Sequence, residues 1–261
     1  MKVSIITVTY NSANTILTTL NSVKSQNWSP IEHIIIDGNS SDNTIEIVNN
    51  FPHVSKVIID NDDGIYDAMN KGIENSSGEV IGFLNSDDWF FNDNVIEDIM
   101  NCFRNNKIDA VYGDLVYVVD ENDSQYKRSW KSEEYKTNSF LSGWVPPHPT
   151  FYVKKEIFKK FGVFNKDLKF SADFDLMLRF IEKEKIKTIY LPGPKIKMRF
   201  GGQSTKNIKN VILGNIEIFN SLKNNGFKPG ISFWFKKIKY KLKQFSKISL
   251  LKKFFTQNDK F

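Results

Sequence analysis

Four short apolar runs alternate with helically spaced segments over the first ninety residues, and each run ends in a cluster of Asp, Asn, Ser and Gly. That rhythm constrains the fold more than any other feature of the chain. Val3–Val8 is a β-branched run that ends in Thr9-Tyr10-Asn11, and helical spacing follows at Ile16, Leu17, Leu20 and Val23. His33–Ile36 ends in Asp37-Gly38-Asn39-Ser40-Ser41-Asp42, before helical spacing at Ile45 and Val48. Val57–Ile59 leads through Asp60–Asp63 into a helical segment over Ile65–Glu74, and Val80–Leu84 ends in Asn85-Ser86-Asp87-Asp88. Strands alternating with helices predict βαβ units with right-handed crossovers, hence an α/β fold with a mostly parallel central sheet flanked by helices. The runs carry apolar residues in consecutive positions, as strands covered on both faces do.

Beyond Asp88 the pattern loosens. Val95–Phe103 reads as a helix and Ala110–Val119 as a strand interrupted at Gly113-Asp114. A polar, irregular stretch runs from 120 to Pro146-Pro147-His148-Pro149. Phe151–Phe161, Ala172–Glu184 and Ile208–Leu222 read as helices, with strands at Thr188–Leu191 and Lys195–Phe200. The expected division is one domain over 1–225, with a regular α/β half (1–90) and a more variable half (91–225), then a tail over 226–261.

In open parallel sheets, ligands bind outside the carboxyl ends of the strands, which is where all four polar clusters fall. Singly, each cluster is what turns and helix caps require. Three of the four turns bear acids, and on one edge these repel one another unless a cation or ligand donors sit among them. No GxGxxG follows the first strand, and GxxxxGK[ST], HExxH and GxSxG are absent, which removes the dinucleotide, P-loop, zincin and hydrolase readings. Carboxylates are the ligands that Mg²⁺ or Mn²⁺ prefers, with its other positions left for substrate phosphates.

The ordered set Val8-Thr9-Tyr10-Asn11, Asp37–Thr44, Asp63–Gly72, Asn85-Ser86-Asp87-Asp88 and Ser171-Ala172-Asp173-Phe174-Asp175-Leu176 resembles the inverting family 2 glycosyltransferases, whose Rossmann-like fold is called GT-A. The resemblance implies that Thr9, Tyr10 and Asn11 embrace a nucleobase. It implies that Asp37 accepts from a uracil N3–H, and that Asp67, Asn70 and Lys71 lie against base, ribose and phosphate. Asp87 then meets the ribose and Asp88 binds the metal, Mn²⁺ or Mg²⁺, although the site reads Ser-Asp-Asp where the family usually has Asp-x-Asp. Asp173 stands at the position of the family's catalytic base, with Ala172 in place of its usual preceding acid. Asp60-Asn61-Asp62 and Asp175 share the spelling but are expected to shape a turn and a helix. His148 resembles an acceptor-side histidine, though a histidine between prolines is equally a structural residue. Gly202, in Gly201-Gly202-Gln203-Ser204, resembles a loop near the diphosphate or acceptor, or is a plain turn.

The implied reaction is a single displacement with inversion. A metal neutralises the leaving nucleoside diphosphate, and a base takes the acceptor hydroxyl's proton from the opposite face. A UDP-sugar is the favoured donor, and the acceptor is a glycan or an undecaprenyl-diphosphate-linked glycan of bacterial O-antigen or capsule assembly. A catalytically silent scaffold of the same fold and a sugar nucleotidyltransferase are the alternatives. The second would need a glycine-rich basic loop after strand one, which Thr9–Asn14 lacks.

Charge is uneven along the chain. Residues 228–261 carry ten lysines and one acid, whereas the rest holds 26 basic against 29 acidic residues. Trp234, Ile238, Leu242, Phe245, Ile248, Leu251 and Phe255 recur at helical steps among Lys236, Lys237, Lys239, Lys243, Lys247, Lys252 and Lys253. A basic amphipathic helix of this kind suits an anionic membrane surface, or else packs on the domain with its lysines in water. A mildly acidic body argues against nucleic acid. The single Cys102 excludes an internal disulfide. MKVSIITVTYNS reads as a strand, not a signal peptide, and no apolar run is long enough to cross a bilayer. The expected location is cytoplasmic, peripheral on the inner face of the cell membrane.

Overall fold

The computed structural model describes residues 1–120, 126–200, 208–230 and 232–246, with the backbone alone for 243–246. Strands β1 (Val3–Thr9), β2 (Ile31–Asp37), β3 (Val54–Ile59) and β4 (Val80–Phe83) alternate with helices α1 (Ile16–Lys24), α2 (Thr44–Asn49) and α3 (Ile65–Asn75). They lie parallel in the order β3-β2-β1-β4. Successive side chains of a strand point to opposite faces, and both faces are covered here. Ile6, Val8, Ile34 and Ile36 pack on one side with Ala68, Met69 and Ile73 of α3. On the other side, Val3 and Ile5 pack with Val95, Ile96 and Ile99, and Ile35 packs with Ile16 and Leu20 of α1. Gly72 lets α3 lie against β1, since a Cβ there would overlap Ile6.

Past β4 the sheet becomes mixed. After β5 (Trp89–Phe90) and α4 (Val95–Asn105) come β6 (Ala110–Val118) and β7 (Arg128–Trp130). The chain continues through β8 (Tyr152–Lys154), α5 (Lys155–Phe161), α6 (Ala172–Met177) and β9 (Thr188–Arg199). β8 runs antiparallel between β4 and β6, β9 lies parallel to β6, and the two-residue β5 closes the far edge against β9. Phe151–Phe161 is therefore not one helix: Tyr152 and Val153 are buried in the sheet, and the helix begins only at Lys155. The runs at 188–191 and 195–200 are one strand whose register against β6 shifts beside Gly113-Asp114. In both places tertiary pairing overrides local spacing.

Helices α7 (Ile208–Asn224) and α8 (Ser232–Ser246) follow. α8 docks on the domain: Phe233 is buried, Trp234 stacks on Phe219 with ring centroids 5.7 Å apart, and Lys237 Nζ donates to Asn215 Oδ1 at 2.7 Å. Phe235, Ile238 and Leu242 are exposed. The expected single stripe therefore divides, with Trp234 inward and Ile238 and Leu242 outward; Phe245, Ile248, Leu251 and Phe255 lie outside the described side chains. Among the described residues, no helix is long and apolar enough to cross a membrane.

Candidate active site

Strand register brings the polar turns together. Thr9 pairs with Asp37, Asp37 with Ile59, and Ile6 with Phe83, so the turns after β1–β4 emerge along one edge. They are stitched to one another. The Asn11 N–H donates to Ser40 Oγ at 2.8 Å, and Asn11 Oδ1 accepts from the Ser41 N–H at 2.8 Å. The Ser12 N–H donates to Thr44 Oγ1, while the Ser12 hydroxyl pairs with that of Ser86, both at 2.8 Å. Asn11 has φ 49°, a left-handed conformation that asparagine tolerates well.

Asp37 is fully buried and receives Ser40 twice, from its N–H at 2.7 Å and its hydroxyl at 2.6 Å. Tyr10 is 65% exposed, an aromatic face open at the mouth of the edge, and a Cβ at Gly38 would come into contact with its ring. The buried Thr9 hydroxyl has no partner. Asp37, Tyr10 and Thr9 thus bring a carboxylate, a ring and an unspent hydroxyl to the ends of the neighbouring strands β1 and β2.

The α3 residues divide. Lys71 Nζ pairs with Asp60 at 2.7 Å and lies 3.6 Å from Asp67, whose other oxygen takes Lys166 at 2.9 Å. The hydrogen bond from Lys166 holds the Asp67 carboxyl below its ordinary range. Asn70 spends both ends of its amide on the backbone of Phe164, donating to its carbonyl at 2.9 Å and accepting from its N–H at 3.0 Å. Asp62 accepts from the Gly64 N–H and so shapes the turn into α3.

Asp87 and Asp88 sit between β4 and β5. Because β5 pairs with β9, Asp88 Oδ1 meets the Arg199 N–H at 3.3 Å, while Oδ2 accepts the Asn85 amide at 3.0 Å. Burial pushes both carboxyls up, and the neighbouring Asp87 charge drives Asp88 further, well above the usual carboxylate range. Asn85 Oδ1 is buried without a partner beside them. These hard oxygens fit Mg²⁺ or Mn²⁺, whose charge would offset the burial. Among the described residues no cluster of three His, Cys, Asp or Glu is placed to hold a metal ion.

Asp173 enters from the first turn of α6. Its Oδ2 lies 3.2 Å from His148 Nδ1, and its Oδ1 accepts from the Tyr66 hydroxyl at 3.3 Å. His148 rides on a short turn pinned by Thr150, whose hydroxyl donates to the Pro147 carbonyl at 2.8 Å and reaches Gly113 of β6. Burial lowers the pKa of His148, while Asp173 and Asp87 both pull it up. One histidine therefore contacts Asp173 and also feels the charge of Asp87. Asp175, by contrast, is held by Arg179 and Asn225.

Gly202 and its loop lie outside the described residues. The sequence predicts no role for Asn85, Arg199 or Tyr66. Asn85 and Tyr66 lie inside the polar motifs that follow β4 and β3, whereas the contact of Arg199 with Asp88 spans 111 residues.

Known proteins share the family and the fold of this chain. Residues 4–166 match the family described as glycosyl transferase family 2. A PGL/p-HBAD biosynthesis glycosyltransferase of Mycobacterium tuberculosis is 26% identical over 193 residues, 72% of this chain and 73% of that protein. Among solved structures, Staphylococcus aureus TarS aligns with TM-score 0.64 at 21% identity, over 84% of this chain and 40% of TarS. Its 1–349 fragment in complex with UDP-GlcNAc aligns at TM-score 0.65 and 18% identity, over 88% of this chain and 68% of the fragment. A mannosyltransferase of Pyrobaculum calidifontis, in complex with GDP-Man and Mn²⁺, aligns at TM-score 0.55 and 18% identity, over 73% and 54%. What these structures share with this chain is the fold: one α/β sheet domain flanked by helices.

Proposed function

Since the chain belongs to glycosyl transferase family 2, we propose that this glycosyltransferase moves one sugar, with inversion, from a nucleotide-sugar to a hydroxyl of a glycan or lipid-linked glycan in bacterial polysaccharide assembly. The observation that carries the reading is the contact of His148 Nδ1 with Asp173 at 3.2 Å, together with the electrostatic pull of Asp87 on the same ring. It supports a proton acceptor working near the carboxylates that follow β4. UDP is the favoured nucleotide, supported by Asp37 and by the UDP-GlcNAc bound to TarS. GDP remains the competing reading, given the GDP-Man bound by the mannosyltransferase.

Tyr10 stacks on the base, Thr9 and Asn11 line it, and Asp37 accepts its imide N–H. Asp67 and Lys71 sit beside it at the start of α3, with Asn70 bracing the helix against Phe164. Asp87 takes the ribose hydroxyls and Asp88 the metal. Bound there, Mn²⁺ or Mg²⁺ supplies charge neutralisation on the departing diphosphate. Asp173 takes the acceptor proton as the acceptor oxygen bonds to the anomeric carbon and the bond to the diphosphate breaks. Attack opposite the leaving group turns an α-linked donor into a β-glycoside. His148 and Gly202 belong to the acceptor side.

For the tail, the two-sided α8 supports an anionic membrane surface as partner. One face docks on the domain, while Phe235, Ile238 and Leu242 stay outward among Lys236 and Lys239. An undecaprenyl-diphosphate-linked acceptor would then be met at the membrane. Retention of the full chain on phosphatidylglycerol vesicles, released by salt, is the expected result; equal sedimentation with and without vesicles ends that reading.

The donor site is tested without an acceptor, by thermal shift with UDP, GDP, dTDP and CMP, each with and without Mn²⁺. UDP at a hundredfold over its Kd with Mn²⁺ should stabilise by about 2.7 kcal/mol, a rise of roughly 5–10 °C. A metal-dependent rise with GDP alone would overturn the assignment of Asp37 to uracil. No rise with any nucleotide would favour a silent scaffold.

A further inference from the structure

α3 touches the base candidate directly, and it does so through a residue that the donor site does not use. The Tyr66 hydroxyl donates to Asp173 Oδ1 at 3.3 Å while His148 Nδ1 stands 3.2 Å from Oδ2, so each carboxylate oxygen has its own partner. The Tyr66 ring is itself held. It stacks on Phe164, with centroids 5.6 Å apart and planes 25° apart, and Phe164 packs edge-on against Phe83 of β4. Asn70, one helical turn on, clamps the Phe164 backbone from both sides, and Asp67 ties down Lys166. Three residues of α3 therefore grip the segment that leads into α6, and one of them reaches the reacting carboxylate. Burial drives the Tyr66 phenol well above its ordinary pKa, so it stays protonated and can only donate to an ionised carboxylate.

We propose that Tyr66 is a positioning residue, whose hydroxyl orients the Asp173 carboxylate towards the acceptor while Asn70 and Phe164 hold the ring in place. The proposal rests on Asp173 as the base. A carboxylate held at one oxygen alone can rotate about its side-chain torsions, whereas two anchors from α3 and from the His148 turn leave it one orientation. Transfer requires the reacting atoms to be held near contact, so the second anchor acts on turnover and not on donor affinity. Other charged or titratable groups face this bracket: Asp87 towards His148, Glu217 of α7 towards Tyr66, and Tyr117 of β6 and Lys237 of α8 towards Asp173.

Tyr66→Phe removes one oxygen and keeps the stacked ring, so the full chain should fold, with a melting point within about 3 °C of the parent, as the loss of roughly one hydrogen bond allows. The first readout needs no substrate. The chain has three histidines, so the His148 ring resonances are assigned by their loss in His148→Ala. In Tyr66→Phe the His148 Nδ1 signal should shift or exchange faster, while His33 and His53 stay in place. The second readout is UDP release from UDP-GlcNAc with Mn²⁺, beside Asp173→Asn as control. Here kcat should fall about tenfold, as for one lost hydrogen bond to a charged group, with KM and the UDP Kd within about twofold. Unchanged His148 signals in Tyr66→Phe overturn the proposal, as does a rise in KM and Kd that accounts for the loss of turnover. Full UDP release in Asp173→Asn would instead overturn Asp173 as the base, and the His148 signals would still decide whether Tyr66 holds the carboxylate.

Discussion

The two sides of the site are built in different ways. The side proposed for the nucleotide is a row of adjacent turns: Asn11, Ser12, Asp37, Ser40 and Ser86 hydrogen-bond among themselves at the ends of neighbouring parallel strands. The side proposed for the acceptor is a meeting of strangers. Asp173 comes from α6, His148 from a turn pinned to β6, and Tyr66 from α3, 107 residues away from the aspartate it touches. A row of turns follows from strand order alone, so its geometry tolerates changes elsewhere. A meeting point fails when any of the elements supporting it moves.

The strongest way to break this contrast is to remove the chemistry on each side separately. Asp173→Asn should lower turnover by about 10²–10⁴, the range of a lost general base, while leaving nucleotide binding intact. Asp88→Asn should lose both turnover and the Mn²⁺-dependent nucleotide shift. Because burial and the Asp87 charge disfavour its ionised form, Asp88→Asn should also melt higher than the parent without metal at pH 7. Asn85 can turn its unpartnered Oδ1 towards the new amide, and each kcal/mol recovered is worth about 2–4 °C at this size. A lower melting point would show that Asp88 is not stored strain awaiting a cation.

Asn70→Ala sharpens the contrast at intermediate size. Losing two hydrogen bonds to the Phe164 backbone should cost about 2–3 kcal/mol, seen as a lower denaturant midpoint. UDP affinity should change less than turnover, because the clamp serves the acceptor side. Equal losses in both would place Asn70 on the nucleotide instead.

The smallest effect concerns acid. His33 is buried between Thr7 and His53, and burial lowers its pKa to about 3. The unfolded chain takes up this proton below about 6.5 and the folded one does not. Stability is therefore fully present above that value and lost as the pH falls towards 3, at no more than about 1.4 kcal/mol per pH unit. Glu32, held at about 2 by hydrogen bonds from Ser4, Ser77 and Lys2 that outweigh its burial, adds a loss between 4.5 and 2. The slope of melting point against pH between 6 and 5 should flatten in His33→Gln. An unchanged slope would assign the acid sensitivity to His53 or His148, whose pKa values burial also lowers.

Much of the nucleotide side is legible in the chain because its signals are local. A buried parallel strand shows as a continuous apolar run, and the turn that follows it must carry small polar residues, so Asp37 and Asp88 announce themselves by position. Tyr152-Val153 does not, since an apolar run of that length suits helix or strand equally; only the gap between β4 and β6 decides it. Asn70 looks like part of a nucleotide motif, yet its amide is spent on Phe164, 94 residues on. α8 divides the same way. Its spacing predicts one amphipathic stripe, but the domain takes Phe233 and Trp234 and leaves Ile238 and Leu242 outside.

The amino-acid sequence by itself determined the α/β alternation, the family, the acidic edge of the parallel strands and the basic charge of the last 34 residues. Periodicity, turn chemistry and charge are properties of neighbours along the chain. Only the tertiary structure decided that β8 enters antiparallel, that Arg199 closes over Asp88, and that Tyr66 and His148 grip the two oxygens of Asp173. Those contacts join residues separated by up to 111 positions. Their geometry comes from how sheet and helices pack, which no local pattern encodes.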